Sequence, residues 1–150
     1  MMNTAKLPYI ILMTQEEKDI LIKDLCARLS YGVKCQCFDE KTIASLTGIK
    51  SNTELYFDEL DYKEFDGIIE ITYCRPYLYP LSSMTEEQLH ELREMFGFEI
   101  EFGDGFIETS TRLGYSEMDA MFDYFNRNHF DYRGLIPMGL ANDATGLNIY

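Results

Sequence analysis

His129, Asp131 and Arg133 stand at alternate positions near the end of the chain. Extended backbone places residues two apart on one face. That would gather an imidazole able to trade a proton, a carboxylate able to orient it, and a guanidinium able to hold an anion. Arg75, far upstream in a stretch dense in proline and aromatic residues, would complete a four-residue site for a small ligand or a reaction. The same residues have an architectural reading, in which Asp131 and Arg133 pair with each other, or with Arg75 and nearby acids, and lock the closing segment onto a sheet. The other histidine, His90, falls among Glu87, Glu91 and Glu94 in a helical stretch and reads as a solvated side chain. Two histidines cannot build a multi-histidine metal site.

Other chemistry finds little support. Ser82 and Ser83 precede a helix, where a hydroxyl serves backbone groups. There is no Gly-x-Ser-x-Gly elbow, no phosphate-cradling glycine loop and no Walker lysine, and Gly103-Asp104-Gly105 lacks the residues that would make it one. Cys26, Cys35, Cys37 and Cys74 could supply four thiolates to zinc, but one pair is separated by a single residue and the other two are isolated. Structural zinc sites use knuckle spacings that this chain lacks, so buried reduced thiols are the better account. Carboxylate pairs such as Glu99 with Glu101 arise by chance in so acidic a chain, and no Lys or Arg cluster sits beside them to hold nucleic acid. No metal and no cofactor is expected.

Of the 150 residues, 26 are acidic and 13 basic, for a formal net charge of −13. Such a field repels nucleic acid and anionic membrane. The excess is concentrated: residues 54–70 hold seven acids against Lys63, and residues 86–108 hold eight against Arg93. The first segment interleaves acids with aromatics. Glu54, Tyr56, Asp58, Glu59, Asp61, Tyr62, Glu64 and Asp66 form the candidate surface for a protein partner with a basic face. The plainer reading is a solubilising surface.

The elements that would position these groups follow from periodicity. Thr14 with Glu17 forms a capping box, and Leu21, Ile22, Leu25, Cys26 and Leu29 give one helical stripe that stops near Gly32. A short strand is expected before it, at residues 8–13. From Val33 the period becomes two, and tight turns separate strands near residues 33–38, 42–47, 53–59 and 68–74, an antiparallel meander. Residues 75–84, with two prolines in five residues, are expected to cross as a loop and not as a central strand. Thr85 with Gln88 opens a second helix carrying Leu89, Leu92 and Phe96. A third is expected from Ser116, with Asp119 closing its cap and Met118, Met121, Phe122 and Phe125 along it. Residues 98–107 resemble a hairpin.

The expected fold is one α+β domain over residues 1–150: a twisted antiparallel meander of about four to six strands with three helices on one face or at one end. No apolar run is long enough to span a membrane and no signal peptide is seen, so a cytoplasmic protein is expected. Oligomeric state is left open.

Three blocks, residues 23–34, 75–87 and 129–141, resemble in that order a family of short proteins from prophages and mobile elements of gut anaerobic bacteria, a family without an assigned activity. The resemblance implies a mobile-element origin. Small acidic proteins of that kind often bind and interfere with host or rival machinery. Two functions follow: a non-enzymatic acidic protein that docks on and inhibits or modulates a host or defence protein, and a small enzyme or ligand-binding module centred on Arg75, His129, Asp131 and Arg133.

Overall fold

The computed structural model describes residues 12–38, 42–58, 67–96, 100–103, 106–109 and 114–150. Helix α1 (Gln15–Arg28) begins as its capping box predicts: the Thr14 hydroxyl accepts from the Glu17 N–H, and Glu17 Oε1 accepts from the Thr14 N–H, both at 3.1 Å. A reciprocal cap of this kind is worth about 1 kcal/mol. A 3-10 turn (Leu29–Tyr31) and Gly32 at φ 69° end it, the left-handed exit that glycine adopts without strain. The buried face carries Leu21 and Leu25, as the stripe predicts, but also Asp24 and Arg28, both at 0% exposure.

Four strands follow, β1 (Lys34–Cys37), β2 (Ile43–Ile49), β3 (Glu54–Phe57) and β4 (Ile68–Glu70), each antiparallel to its predecessor. The meander is therefore present, with a bulge between Leu46 and Gly48. After a 3-10 turn (Ile71–Tyr73), the chain crosses to the other side of β1 and forms β5 (Cys74–Pro80). Helix α2 (Glu86–Phe96), the hairpin β6 (Ile100–Gly103) and β7 (Phe106–Thr109), and helix α3 (Tyr115–Arg127) come next. Two short strands, β8 (Phe130–Asp131) and β9 (Asn142–Asp143), then lie parallel to β5. The main sheet runs β4-β3-β2-β1-β5-β8, with β9 also on β5, and β6-β7 form a separate sheet. This is an α+β fold whose sheet is mixed, not wholly antiparallel.

Strand β5 corrects the expectation of a loop. Residues 74–76 pair with β1 on one edge, whereas residues 77–78 pair with β9 and 79–80 with β8. Pro76 and Pro80 each stand at the last rung of a ladder, opposite Cys35 and Asp131. Proline disrupts a strand where its missing N–H is needed in mid-ladder; here the partners change before that need arises. Beyond Pro76, Tyr150 takes over: its hydroxyl accepts from the Lys34 N–H at 2.9 Å and donates to the Tyr77 carbonyl at 2.8 Å. A side chain thus spans the gap that opens between β1 and β5.

The second cap is as predicted, Gln88 N–H donating to Thr85 Oγ1 at 3.1 Å and Thr85 N–H to Gln88 Oε1 at 2.9 Å. The third is shifted. Helix α3 starts at Tyr115, and Glu117 Oε2 accepts from the Gly114 N–H at 2.9 Å, so Glu117 and not Asp119 closes the turn. Two cores result. One packs Leu21 and Leu25 of α1 against Cys35, Leu55, Ile69 and Leu78 of the sheet. The other gathers Leu92, Met121, Tyr124, Phe125 and Phe130 between α2, α3 and β8. Among the described residues no helix is long and apolar enough to cross a membrane. The strand expected at residues 8–13 falls almost wholly outside the described residues.

Candidate functional site

Asp131 ends β8, and its carboxylate turns back onto the backbone, accepting from the N–H groups of Leu135 and Ile136, each at 2.9 Å. It is 7% exposed. Arg133 turns the other way, to α1, where its Nε donates to Asp24 Oδ1 at 3.2 Å and its Nη2 to the Tyr132 hydroxyl at 3.1 Å. Asp131 and Arg133 hold the closing segment, each through a different partner: a loop and a helix.

Asp24 is also held by Arg28, from Nε at 2.8 Å and Nη2 at 3.2 Å, and Arg28 Nη2 donates to the Phe130 carbonyl at 2.6 Å. One buried carboxylate therefore serves two guanidiniums. The Tyr132 ring lies against both, 5.3 Å from Arg28 and 4.9 Å from Arg133, a placement that favours the cations over the ring. Arg28 and Asp24 face the sheet side of α1 because i and i+4 share a helix face.

His129 sits at φ 62°, just past the Asn128 C-cap of α3. This left-handed residue reverses the chain into β8, and the His129 carbonyl accepts from the Tyr79 N–H at 2.8 Å. Its ring stacks on Tyr150, and its Nδ1 is buried with no hydrogen-bond partner. Burial, with the charges of Arg28 and Lys34 adding to it, lowers its pKa from 6.5 to about 4. The imidazole is neutral at pH 7. His129 lines a cavity of about 390 Å³ with Ser83, Gln88 and Tyr150, whereas Arg133 lines another of about 590 Å³ between α1 and α3. Arg75 stands in register with Gln36 on β1, four residues along β5 from Tyr79, a strand distance of roughly 13 Å. The four residues read as one site are thus distributed along β5 and across two cavities. His90, far from all of them, is 75% exposed and 3.9 Å from Glu94.

Three of the cysteines, Cys35, Cys37 and Cys74, are fully buried, with Cys37 and Cys74 in register on β1 and β5. Burial raises the Cys35 and Cys74 thiols well above their ordinary value, which keeps them protonated and inert. Cys26 corrects the expectation of a fourth buried thiol: the buried face of α1 runs through Leu21, Asp24, Leu25 and Arg28, which leaves Cys26 exposed.

The acidic surface is a second candidate. Of its predicted residues, Glu59, Asp61, Tyr62, Glu64 and Asp66 lie outside the described residues. Glu54 and Tyr56 alternate with the buried Leu55 and Phe57, so they face away from the core. Glu54 stands directly opposite Glu70 on β4. Lys50 approaches Glu54 at 3.7 Å, with both side chains 43% exposed. Tyr56 is 38% exposed and lies over Gly48, where a Cβ would come within 3.2 Å of its Cδ2. Asp58 is different: its Oδ1 accepts from the Ser45 N–H at 2.8 Å and ties β3 to β2 beside the bulge. The displayed carboxylate that the sequence did not single out is Glu70. Its signal was available, since it alternates with Ile69 and Ile71 and ends the same acidic run.

No protein-family model, no curated protein and no solved structure matches the chain.

Proposed function

We propose that the protein is a non-enzymatic docking protein that binds a basic surface of another protein through the β2-β3-β4 face, and inhibits or modulates that partner. The observation that carries the reading is the register pair Glu54–Glu70. Like charges directly opposite on neighbouring strands destabilise a sheet, and Lys50 offsets one of them only partly through an exposed contact. A cationic group from a partner would relieve the pair. Tyr56, next along β3 and supported flat by Gly48, offers the rigid aromatic that dominates many interfaces. The resemblance carried by residues 23–34, 75–87 and 129–141 supports a mobile-element origin and a host or defence protein as the partner.

The test uses Glu54→Lys with Glu70→Lys, and leaves Asp58 in place because it supports the fold. Tagged wild-type and double-variant proteins are incubated with host lysate at low and high salt, and retained proteins are identified by mass spectrometry. A partner held by the wild type at low salt, and lost both at high salt and on charge reversal, is the expected result. A partner retained equally by the double variant overturns the reading.

A further inference from the structure

Independently of the sheet face, we infer that Cys37 and Cys74 are a disulfide site: two thiols that the β1–β5 ladder holds at bonding distance, and that a disulfide oxidant such as oxidised glutathione joins across the strands. The two residues stand directly opposite each other. Register alone does not set their spacing, because an antiparallel pair alternates between hydrogen-bonded rungs about 5.5 Å wide and rungs without hydrogen bonds about 4.5 Å wide. The backbone bonds identify the rung. Cys37 N–H donates at 2.9 Å to the Thr42 carbonyl on the β2 side, so it points away from β5. The next residue, Phe38, is the one whose N–H crosses to the Tyr73 carbonyl, at 3.2 Å. Cys37 and Cys74 therefore share a narrow rung, whose Cα spacing lies inside the range of about 4.4–6.8 Å that a disulfide spans. Side chains opposed on such a rung stand together on one face of the sheet, and both thiols lie in the core beneath α1. Burial raises the Cys74 thiol, and a hydrogen bond with the Cys37 thiol raises it further, which places the two sulfurs in contact.

Distance excludes the third buried thiol. Cys35 is diagonal to Cys74, and diagonal neighbours lie about 7–8 Å apart, too far for a disulfide. Along β1, Cys35 and Cys37 stand parallel and about 6.6 Å apart, with their Cβ atoms too distant to bridge. Cys26 is exposed on α1, outside this core. Both members of the pair are at 0% exposure in the closed fold, so exchange takes place while the rung is open, during folding or when β5 lifts off β1. One thiolate attacks oxidised glutathione, forming a mixed disulfide and releasing one glutathione. The second thiolate attacks the protein sulfur of that mixed disulfide and releases the other glutathione. Two protons and two electrons pass from the cysteine pair to glutathione. The bond encloses residues 38–73, and with them β2, β3 and β4, in one covalent loop stapled to β5.

The test uses the full chain carrying Cys26→Ser, which removes the exposed thiol and its exchange between molecules. The chain is equilibrated with mixtures of oxidised and reduced glutathione, both native and in urea, starting once from the oxidised and once from the reduced protein. Free thiols are then alkylated and the products mapped by mass spectrometry. The expected product is a single bond between Cys37 and Cys74, with Cys35 alkylated. Folding and the bond must favour each other by the same factor. The equilibrium constant for bond formation should therefore be at least about tenfold higher in the native chain than in urea, and the urea midpoint of the oxidised chain should rise. Adding Cys35→Ala should leave the bond in place. An equal or lower constant in the native chain overturns the inference, as does a bond that uses Cys35. Because Glu54 and Glu70 take no part in this chemistry, loss of the disulfide site leaves sheet-face docking untouched, and the converse also holds.

Discussion

The imidazole of His129 and the phenol ring of Tyr150 stack face to face, with centroids 3.6 Å apart and planes 10° from parallel. The pair joins the reversal after α3 to the residue that bridges β1 and β5. In the folded chain the His129 pKa is lowered, by burial first and then by Arg28 and Lys34. A group whose folded pKa is depressed contributes stability above its unfolded pKa and loses it as pH falls. The window runs from 6.5 down to about 4. His129 is only about half buried, so solvent screening reduces the effect to about 1–2 kcal/mol. Urea unfolding from pH 7.5 to 4 should show that loss in the wild type and not in His129→Asn, whose side chain tolerates the left-handed backbone. Parallel curves for the two proteins would remove His129 as the sensing group.

Tyr150→Phe keeps the ring and deletes the hydroxyl. Lys34 N–H and the Tyr77 carbonyl then lose their shared partner, a loss of about 1–3 kcal/mol. Hydrogen exchange at the Lys34 amide should accelerate along with the drop in stability. Unchanged protection at Lys34 would mean that the strands close on each other without Tyr150.

Asp24→Ala leaves Arg28 buried and without its counter-charge, and should cost about 3–5 kcal/mol in chemical denaturation. Replacing the pair together, Asp24→Leu with Arg28→Met, should recover part of that loss, because no buried charge is left without its counter-charge on α1, while the Phe130 carbonyl and Arg133 Nε still lose their partners. A double variant no more stable than Asp24→Ala would show that packing, not charge, dominates the site.

The carboxylates on β3 and just beyond its end separate by role. Asp58→Ala removes the acceptor of the Ser45 N–H and should destabilise by about 1–2 kcal/mol. Glu54→Lys, opposite Glu70 on the exposed face, should be neutral or slightly stabilising, within about 0.5 kcal/mol. Thermal melts of both variants check the division, and equal losses would contradict it.

Where local chemistry decides structure, the sequence was readable. Thr14 with Glu17 and Thr85 with Gln88 announce their helices because both halves of each cap lie within four residues. The alternation around Leu55 and Ile69 announces strands for the same reason. Strand β5 was hidden because the cost of a proline depends on which edge of the strand is paired at that rung, and that is set by residues 35 and 131. Asp24 and Arg28 were equally silent: they stand outside the apolar stripe of α1, and only the return of Arg133 and Phe130 against that face shows that they are inside. Gathering His129, Asp131 and Arg133 on one face assumed that the segment stays extended. It does so for two residues only, and Asp131 then folds the chain back onto its own carboxylate.

The bridge made by Tyr150 joins residues 116 positions apart. A loop of that size must be drawn closed before the contact returns any free energy. During synthesis β1 and β5 emerge early and can register through residues 35–37 and 74–76, but their continuation stays unjoined until Tyr150 has been made. For that interval a newly synthesised chain has unsatisfied strand groups at Lys34 and Tyr77. Nascent-chain aggregation should therefore be most acute in chains stalled just short of Tyr150.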